Sequence, residues 1–438
     1  MVPCDWRVRV NDVIDDLHRR GLIAQSTDEA ALRAHLAEGP VAYYAGFDPT
    51  AQSLHVGHLL QFMVLRALQR AGHQPVVLVG GATGLIGDPR PSAERQLNDR
   101  DTVAAWVERI REQVAPFLDV PAETDGLKGP IYVNNLDWTA PISAIDFLRD
   151  IGKHFRVSQM LAKEAVSARL NSEAGISYTE FSYQILQAND FHELHRRHGV
   201  TLQTGGSDQW GNLTAGIDLV RRTEGARVHA LSTPLVTKSD GTKFGKSEGG
   251  AVWLDPTLTS PYAFFQFWLN ADDADARLWL PLYSERPAEE VEALIAESLE
   301  RPAARTAQRA LAEELTVLVH GPEQLEQAEA AGRALFGRDD LSALGEETLG
   351  AALREAGSVT VDGEVPSYAQ LLQLTGLVGS LSEARRTVKE GGAYVNNERV
   401  TDADAAPGDD AWLAGGWLVL RRGKRSIAGV QRTASSGS

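Results

Sequence analysis

YYAGFDPTAQSLHVGHLL, Tyr43 to Leu60, is the stretch whose reading decides the fold. It opens with a β-prone pair, Tyr43 and Tyr44, and passes into a turn built on Gly46, Asp48 and Pro49. It ends at His55-Val-Gly-His58, where an apolar-periodic run begins with Leu59, Leu60, Met63, Val64 and Leu68. The pattern predicts strand, turn and helix, with Ser53 as the helix N-cap and both histidines in the first turn. Gly57 has no side chain, so a flat group can rest on the backbone there. A helix start offers free N–H groups and positive potential to an anion. A His-x-x-His pair taken alone is as well read as surface decoration or half of a metal site. A metal site needs further Cys, His or carboxylate ligands at the right spacing. The chain has one cysteine and no H-E-x-x-H, so no metal ligand set is expected.

Around that stretch, 438 residues are too many for one ordinary core, and two or three domains are expected. With 43% hydrophobic and 23% charged residues the composition is that of a globular protein. The lone Cys4 excludes an internal disulfide framework, the N-terminus has no apolar core of signal-peptide type, and no run is long enough to span a membrane. A cytoplasmic location is therefore expected. The net charge of −16 argues against a protein that coats nucleic acid non-specifically. From Glu364 onward there are nine Lys and Arg against eight Asp and Glu, so the remainder carries −17 and nucleic acid would approach the C-terminal end.

Taken in order, residues 1–40 read as helical. Gln74-Pro-Val-Val-Leu-Val79 reads as a buried strand running into the glycine-rich turn Gly80-Gly-Ala-Thr-Gly-Leu-Ile-Gly-Asp88. That turn is not a dinucleotide fingerprint, because its glycines fall as G-x-x-G-x-x-G. It suits a close approach of backbone to a small ligand, with Asp88 supplying charge. A helix is expected over 100–120, a strand over Ile131–Asn135, and one or two helices over 142–170. Strands alternating with helices predict a parallel α/β sheet. In YTEFSYQILQANDFHEL, from Tyr178, the residues Tyr183, Gln187 and Asp190 share one helix face. Such a stripe is either a solvated edge or the wall of a pocket. A strand at Val200–Gln203 and a glycine-dense turn from Thr204 to Asn212 lead into another helix.

Lys238-Ser-Asp-Gly-Thr-Lys-Phe-Gly-Lys-Ser-Glu-Gly-Gly250 is polar and basic, and is expected to be a mobile loop. It is one residue short of a P-loop and lacks the strand-to-helix setting, but its lysines and serine can hold phosphate oxygens. The expected divisions are a domain over 1–237, the loop over 238–250, a helical domain over 251–337 and an acidic linker over 338–364. A small α+β module follows over 365–428, then a disordered tail over 429–438.

These residues together resemble the class I aminoacyl-tRNA synthetases, and among them the bacterial tyrosyl enzymes. HVGH looks like their HIGH signature and Lys243-Phe-Gly-Lys-Ser247 like a variant of their KMSKS loop. GGATGLIGDP, LQANDF and GGSDQWGN fall in the matching order, and SEARRTVKEGGAYVNN resembles the RNA-binding domain named after ribosomal protein S-four. The resemblance covers almost the whole chain. It implies a Rossmann-like catalytic domain, ATP with Mg2+ as a substrate complex, L-tyrosine and tRNA(Tyr) as partners, and a homodimer with its interface in 142–170. Thr50, His55, His58, Arg95, Lys243, Lys246 and Ser247 would act on the ATP phosphates and the leaving pyrophosphate. Tyr44, Asp88, Tyr183, Gln187, Asp190 and Gln209 would bind tyrosine, with Tyr44 and Asp190 at the phenol hydroxyl. Gly46, Asp48, Gly57, Gly206, Asp208 and Lys246 would bind ATP. Arg385, Arg386, Arg421, Arg422, Lys424 and Arg425 would meet tRNA.

Two departures stand out: Ala45 where many relatives have cysteine, and GDPRPSAER, which is altered and one residue short, leaving Arg90 without an assigned role. The rival readings are a tryptophanyl-type enzyme, a non-catalytic RNA-binding protein with a synthetase-like body, and a nicotinamide oxidoreductase. Asp190 and the C-terminal module speak against the first, intact HVGH and KFGKS against the second, and glycine spacing against the third.

Overall fold

The computed structural model describes residues 13–90, 95, 97–118, 127–173, 175–242, 244–247, 250–337, 339–423 and 426–433; the side chains of 164, 165, 246 and 247 are not among what it describes. The chain forms two compact units, one of residues 1–255 and 272–307, the other of 256–271 and 308–438.

The first unit is built on a six-stranded sheet: β1 (Gln25–Ser26), β2 (Ala42–Phe47), β3 (Gln74–Val79), β4 (Ile131–Asn134), β5 (Val200–Gly206) and β6 (His229–Thr233), in the order β1-β6-β5-β2-β3-β4. β2 to β6 are parallel, and β1 pairs antiparallel with β6. β3 and β6 are almost wholly buried, as strands covered on both faces must be. From β2 the chain builds outward through β3 to β4. It then returns, lays β5 on the other side of β2, and continues outward to β6. β2 and β5 are thus neighbours whose connections leave in opposite directions. Beyond the carboxyl ends of two such strands a crevice opens, and ligands bind there. Those ends carry Gly46, Phe47 and Asp48 on one side and Gly205, Gly206 and Asp208 on the other.

The Tyr178–His198 helix starts at Ser177, whose side chain accepts from the Glu180 N–H, and stops at Gly199 with φ 65°. Its Phe191 and Leu194 join Tyr44, Val76, Leu78, Val200 and Val220 in the core beside the sheet.

Several expectations change. The helix from Leu59 to Arg70 is preceded by a 3-10 turn, Val56–His58, capped by His55 and not by Ser53. Ser53 instead donates to the Leu54 carbonyl and accepts from the Asp255 N–H. Residues 13–40 are two helices, Val13–Arg19 and Glu29–Ala37, separated by β1. Residues 142–170 break into five short turns of helix, among them Val157–Leu161 and Glu164–Leu170. The stretch 251–337 is not one helical domain. Its helices Asp273–Tyr283 and Ala288–Glu300 belong to the first unit, and Pro261–Leu269 and Pro322–Leu335 to the second. The stretch expected as a linker contains the helix Glu346–Ala356, with Leu349 and Leu353 fully buried, and the strand Ser358–Val361. That strand pairs parallel with Ser426–Arg432, which in turn corrects the expected disordered tail up to Arg432. The charges at Glu346, Glu347 and Arg354 lie on the solvent side of an amphipathic helix, and read one by one they hide it. The second unit's sheet runs in the order Glu398–Arg399, Ala393–Val395, Trp417–Arg422, Ser426–Arg432, Ser358–Val361. Among the described residues no helix is long and apolar enough to cross a membrane.

Within the first unit, Glu285 ties the 272–307 stretch to the Leu59–Arg70 helix. Arg66 donates to both of its oxygens at 2.6 and 2.9 Å, and Arg70 approaches at 2.5 Å. Burial alone would raise the Glu285 carboxyl, but the hydrogen bonds and charges of Arg66 and Arg70 outweigh it and hold it at about 2. A carboxyl depressed in the folded state stabilises above its unfolded value and loses that contribution as pH falls through the folded one. Glu285→Ala is therefore expected to cost about 3 kcal/mol at pH 7. In urea unfolding at a series of pH values, the gap to the parent protein should narrow below pH 4.5.

Candidate active site

A cavity of about 1450 Å³ opens at the carboxyl ends of β2 and β5. Thr50, His55, His58, Arg95, Tyr44, Asp88, Tyr183, Gln187, Asp190, Gln209, Gly46, Asp48, Gly57, Gly206 and Asp208 all line it, so residues far apart in the sequence converge on one space. Arg90 lines it too. Lys243 lies outside the described residues, as do the side chains of Lys246 and Ser247. The backbone at Lys246–Ser247 pairs antiparallel with Gly250–Ala251, so the expected loop is in part a small hairpin.

At the most enclosed end, Asp190 is 1% exposed. Its Oδ1 accepts from Trp138 Nε1 and its Oδ2 from Asn135 Nδ2, both at 2.9 Å. Burial pushes the carboxyl up to about 8 against those two donors. The Tyr44 hydroxyl beside it is buried and has no hydrogen-bond partner, and Gln187 Oε1 and Gln203 Oε1 are in the same condition. Gln61 Oε1 and Gln184 Oε1, on two further residues of the cavity lining, are also without a partner among the described residues. Buried polar atoms are normally satisfied, so five such atoms around one cavity suit a polar ligand. Asn135 also donates to Thr83 Oγ1 at 2.9 Å and accepts from the Ala82 N–H at 2.6 Å. Thr83 in turn donates to Asp48 Oδ1 at 2.6 Å, and the Tyr183 hydroxyl donates to Asp48 Oδ2 at 2.6 Å. Asp48 is pushed up to about 6 by burial, against the pull of those two donors. Gly80 is obligatory here: a Cβ on it would overlap Asp48 Oδ1 and Thr83 Oγ1.

Nearer the cavity rim, Asp88 Oδ2 accepts from Gln209 Nε2 at 2.9 Å and Oδ1 from Asn212 Nδ2 at 3.3 Å. Lys163 Nζ lies 3.1 Å from Asp88 Oδ1. Arg95 donates from Nε to the Asp88 carbonyl at 3.0 Å, and its own N–H donates to Glu180 at 2.8 Å. Glu180 forms an ion pair with Arg169 at 3.0 Å, both side chains 1% exposed, and Arg169 also donates to the Arg90 carbonyl at 3.3 Å.

The two histidines sit where β2's turn meets the 3-10 turn. The Gly57 N–H donates to His55 Nδ1 at 3.0 Å, and the His55 N–H donates to His58 Nδ1 at 3.1 Å. A neutral imidazole that accepts at Nδ1 carries its proton on Nε2. His55 thereby presents an Nε2–H donor without carrying charge, while His58 Nδ1 also lies 3.3 Å from the His55 carbonyl, to which the other tautomer would donate. A Cβ at Gly57 would come within 2.7 Å of the His55 ring, so the turn needs glycine as well as offering open backbone.

In the second unit the six candidate cations are not equivalent. Arg385 pairs with Asp404, Arg422 with Glu383, and Arg421 stacks over Tyr394. Arg386 is exposed. Lys424 and Arg425 lie outside the described residues.

Comparison with known proteins agrees with this architecture. A family model described as "tRNA synthetases class I (W and Y)" matches residues 36–337. The chain belongs to that family. A second, described as "Tyrosine--tRNA ligase SYY-like C-terminal domain", matches 349–428, beginning inside the stretch read as a linker. The chain is 62% identical over 423 residues to a tyrosine–tRNA ligase of Streptomyces griseus, covering 96% of this chain and 99% of that one. It is 60% identical over 422 residues to one of Acidothermus cellulolyticus, with 96% and 99% covered. Among solved structures, a C-terminally truncated mitochondrial tyrosyl-tRNA synthetase of Coccidioides posadasii superposes with a TM-score of 0.63 at 30% identity, over 74% of this chain and 94% of that one.

Sequence reasoning missed Asn135, Trp138, Thr83, Lys163 and Asn212. Asn135 reads as the last residue of the strand expected over Ile131–Asn135, and Trp138 falls between that strand and the next expected helix. Asn212 and Thr83 stood inside quoted motifs, GGSDQWGN and GGATGLIG, and could have been taken up from there. Lys163 offered no signal in a charged helical stretch.

Burial, with the His55 ring adding to it, pushes His58 down to about 3, and burial lowers His55. The charged imidazolium is disfavoured, so neither ring should gain a proton near the usual histidine value. Two-dimensional NMR of the ring nitrogens is expected to show His58 neutral from pH 8 down to below pH 5. A midpoint near 6.5 would show a ring open to water.

Proposed function

We propose that the chain is a tyrosine–tRNA ligase. It activates L-tyrosine with ATP, brought in as its Mg2+ complex, to tyrosyl-adenylate, and transfers the tyrosyl group to the 3'-terminal ribose of tRNA(Tyr). The observation that carries this reading is the orphaned Tyr44 hydroxyl beside the buried carboxyl of Asp190, in one cavity with His55 and His58. A phenol hydroxyl can donate to Asp190 and accept from Tyr44, satisfying both.

In this reading the tyrosine carboxylate attacks the α-phosphorus of ATP and pyrophosphate leaves. No protein nucleophile is needed, and catalysis is positioning plus stabilisation of charge on the phosphate oxygens. The rings of His55 and His58 donate to those oxygens, with Thr50 and Arg95 on the same wall of the cavity and Lys243, Lys246 and Ser247 closing over the pyrophosphate. Gly57 gives adenine room, and Gly46, Asp48, Gly206 and Asp208 face the nucleotide. Asp88, Tyr183, Gln187 and Gln209 take the amino end of tyrosine. A homodimer is supported by the apolar side chains Ile145, Leu148, Val157, Leu161, Leu170 and Tyr178, all exposed within one stretch.

Pyrophosphate exchange with each of the twenty amino acids tests the reading; exchange supported by another amino acid and not by tyrosine would sink it. Selectivity gives a sharper measurement. Tyr44→Phe removes a buried hydroxyl that has no partner among the described residues, so folding stability should rise, by about 1–3 kcal/mol. Its preference for tyrosine over phenylalanine should drop about tenfold, the worth of one hydrogen bond. Asp190→Ala should cut the preference further, at the cost of stranding the Trp138 and Asn135 donors.

For tRNA, Arg386 is the cation best placed to meet phosphate, since it is exposed while Arg385 and Arg422 are spent on ion pairs. Arg386→Ala should leave pyrophosphate exchange intact, weaken tRNA charging, and reduce the slope of log affinity against log salt by about one. An unchanged slope would remove Arg386 from the interface.

A further inference from the structure

Asp88 is given to the substrate ammonium in the reading above, yet it already has an ammonium partner within the chain. Lys163 Nζ lies 3.1 Å from Asp88 Oδ1 and 2.8 Å from Asn212 Oδ1, and the side chain is only 10% exposed. Asn212 holds both members of the pair, accepting from Lys163 and donating to Asp88 at 3.3 Å. Gln209 donates to the other Asp88 oxygen at 2.9 Å and to Asp208 at 3.2 Å, and Asn212 donates to Gln209 Oε1 at 2.8 Å. Every described side chain hydrogen-bonded or ion-paired to the Asp88 carboxylate is therefore a donor or a cation, while the Asp48 carboxyl lies near enough to add repulsion. Lys163 lines the same cavity as Tyr44 and Asp190.

We propose that Lys163 stands in for the α-ammonium of the substrate: it neutralises Asp88 in the empty site and is displaced from it when tyrosine binds. This rests on the assignment of Asp88 to the substrate's amino end. The physical reason is that a carboxylate only 17% exposed is costly when unpaired, and a cation beside it offsets that cost. A resident cation must in turn be given up to an incoming one, because two ammonium ions at one Asp88 oxygen repel at short range. Binding then exchanges one ion pair for another, and no charge is left stranded in either state. Lys163 is a positioning residue in this account. It sets the affinity for the amino end of the ligand without touching the reacting atoms. A lysine suits the task better than an arginine, since a single point charge on a flexible stem mimics an ammonium and can swing away.

The test separates ligands by whether they carry the ammonium group. Tyramine keeps it, and 3-(4-hydroxyphenyl)propionate lacks it. Titration calorimetry on the full-length protein and on Lys163→Met should show tyramine binding at least tenfold tighter to the variant, because it no longer competes with a tethered ammonium. The deamino ligand should show no such gain. The empty variant should also melt at a lower temperature than the parent and recover more of its stability on adding tyramine. Should Lys163→Met fail to fold, Asn212→Ala removes the second anchor of the ammonium and should give the same contrast in weaker form. Equal changes for the two ligands, or weaker tyramine binding, would overturn the proposal. Failure of the unaltered protein to bind tyramine or support exchange with tyrosine would instead count against the functional reading.

Discussion

One unbroken run of hydrogen bonds underlies the cavity: Tyr183 to Asp48, Thr83 to Asp48, Asn135 to Thr83, Asn135 to Asp190, and Trp138 to Asp190. It joins the end of β2, the turn after β3, the end of β4 and the Tyr178–His198 helix, four elements that share no local sequence. Each of its two carboxylates receives two donors, so each is satisfied by groups from other elements. A buried polar network is stabilising only when every member is paired, and removing any one strands its neighbours. The run therefore holds the cavity's walls in register as firmly as the apolar core holds the sheet. It also explains why Gly80 sits where it does, since any side chain there would enter the space that Asp48 and Thr83 use to meet.

The same burial that makes the network costly to break sets the charge state of the site. Asp48 and Asp190 are pushed up by burial, and His55 and His58 are pushed down. Both shifts favour neutral forms in the empty cavity. A neutral histidine that donates a hydrogen bond can follow charge as it builds on a phosphate oxygen without having bound ground-state anions tightly. That division, in which stabilisation is kept for the moment of reaction, is what differential binding requires.

Much of the site was legible before any coordinates. The period-3.6 run after HVGH marked the helix, and the i, i+4, i+7 spacing of Tyr183, Gln187 and Asp190 put them on one wall. The motif glycines marked the strand ends. Partners supplied across the sheet were not legible. Asn135 and Trp138 meet Asp190 only because β4 lies at the far edge from β5, and topology of that kind leaves no local periodicity. The antiparallel β1, two residues long, is below any pattern. The strand Ser358–Val361 is defined by its pairing with Ser426–Arg432 some seventy positions later, so it read as linker. Likewise the helices of 251–337 were visible, and their division between two units was not, because a helix's apolar face does not say which core it will join.

The two ends of the cavity are kept ready in different ways, and the difference follows from charge. A buried hydroxyl without a partner costs roughly 1–3 kcal/mol, which a folded protein can carry. Tyr44 is left so, its hydroxyl waiting beside Asp190. A buried carboxylate without a partner costs several times more, and a fold cannot hold it open. Asp190 is accordingly given Trp138 and Asn135, whose hydrogen bonds work against the upward push of burial, while Asp88, nearer the rim, is given Lys163, Gln209 and Asn212. A ligand entering this cavity meets an unmet hydrogen bond at one end and an already met ion pair at the other. The first rewards a hydroxyl and penalises its absence. The second yields little net affinity, because the ion pair gained replaces one lost. With the phenol assigned to Asp190 and the amino end to Asp88, as proposed, discrimination falls on the side chain of the ligand and the amino end is recognised at small net gain.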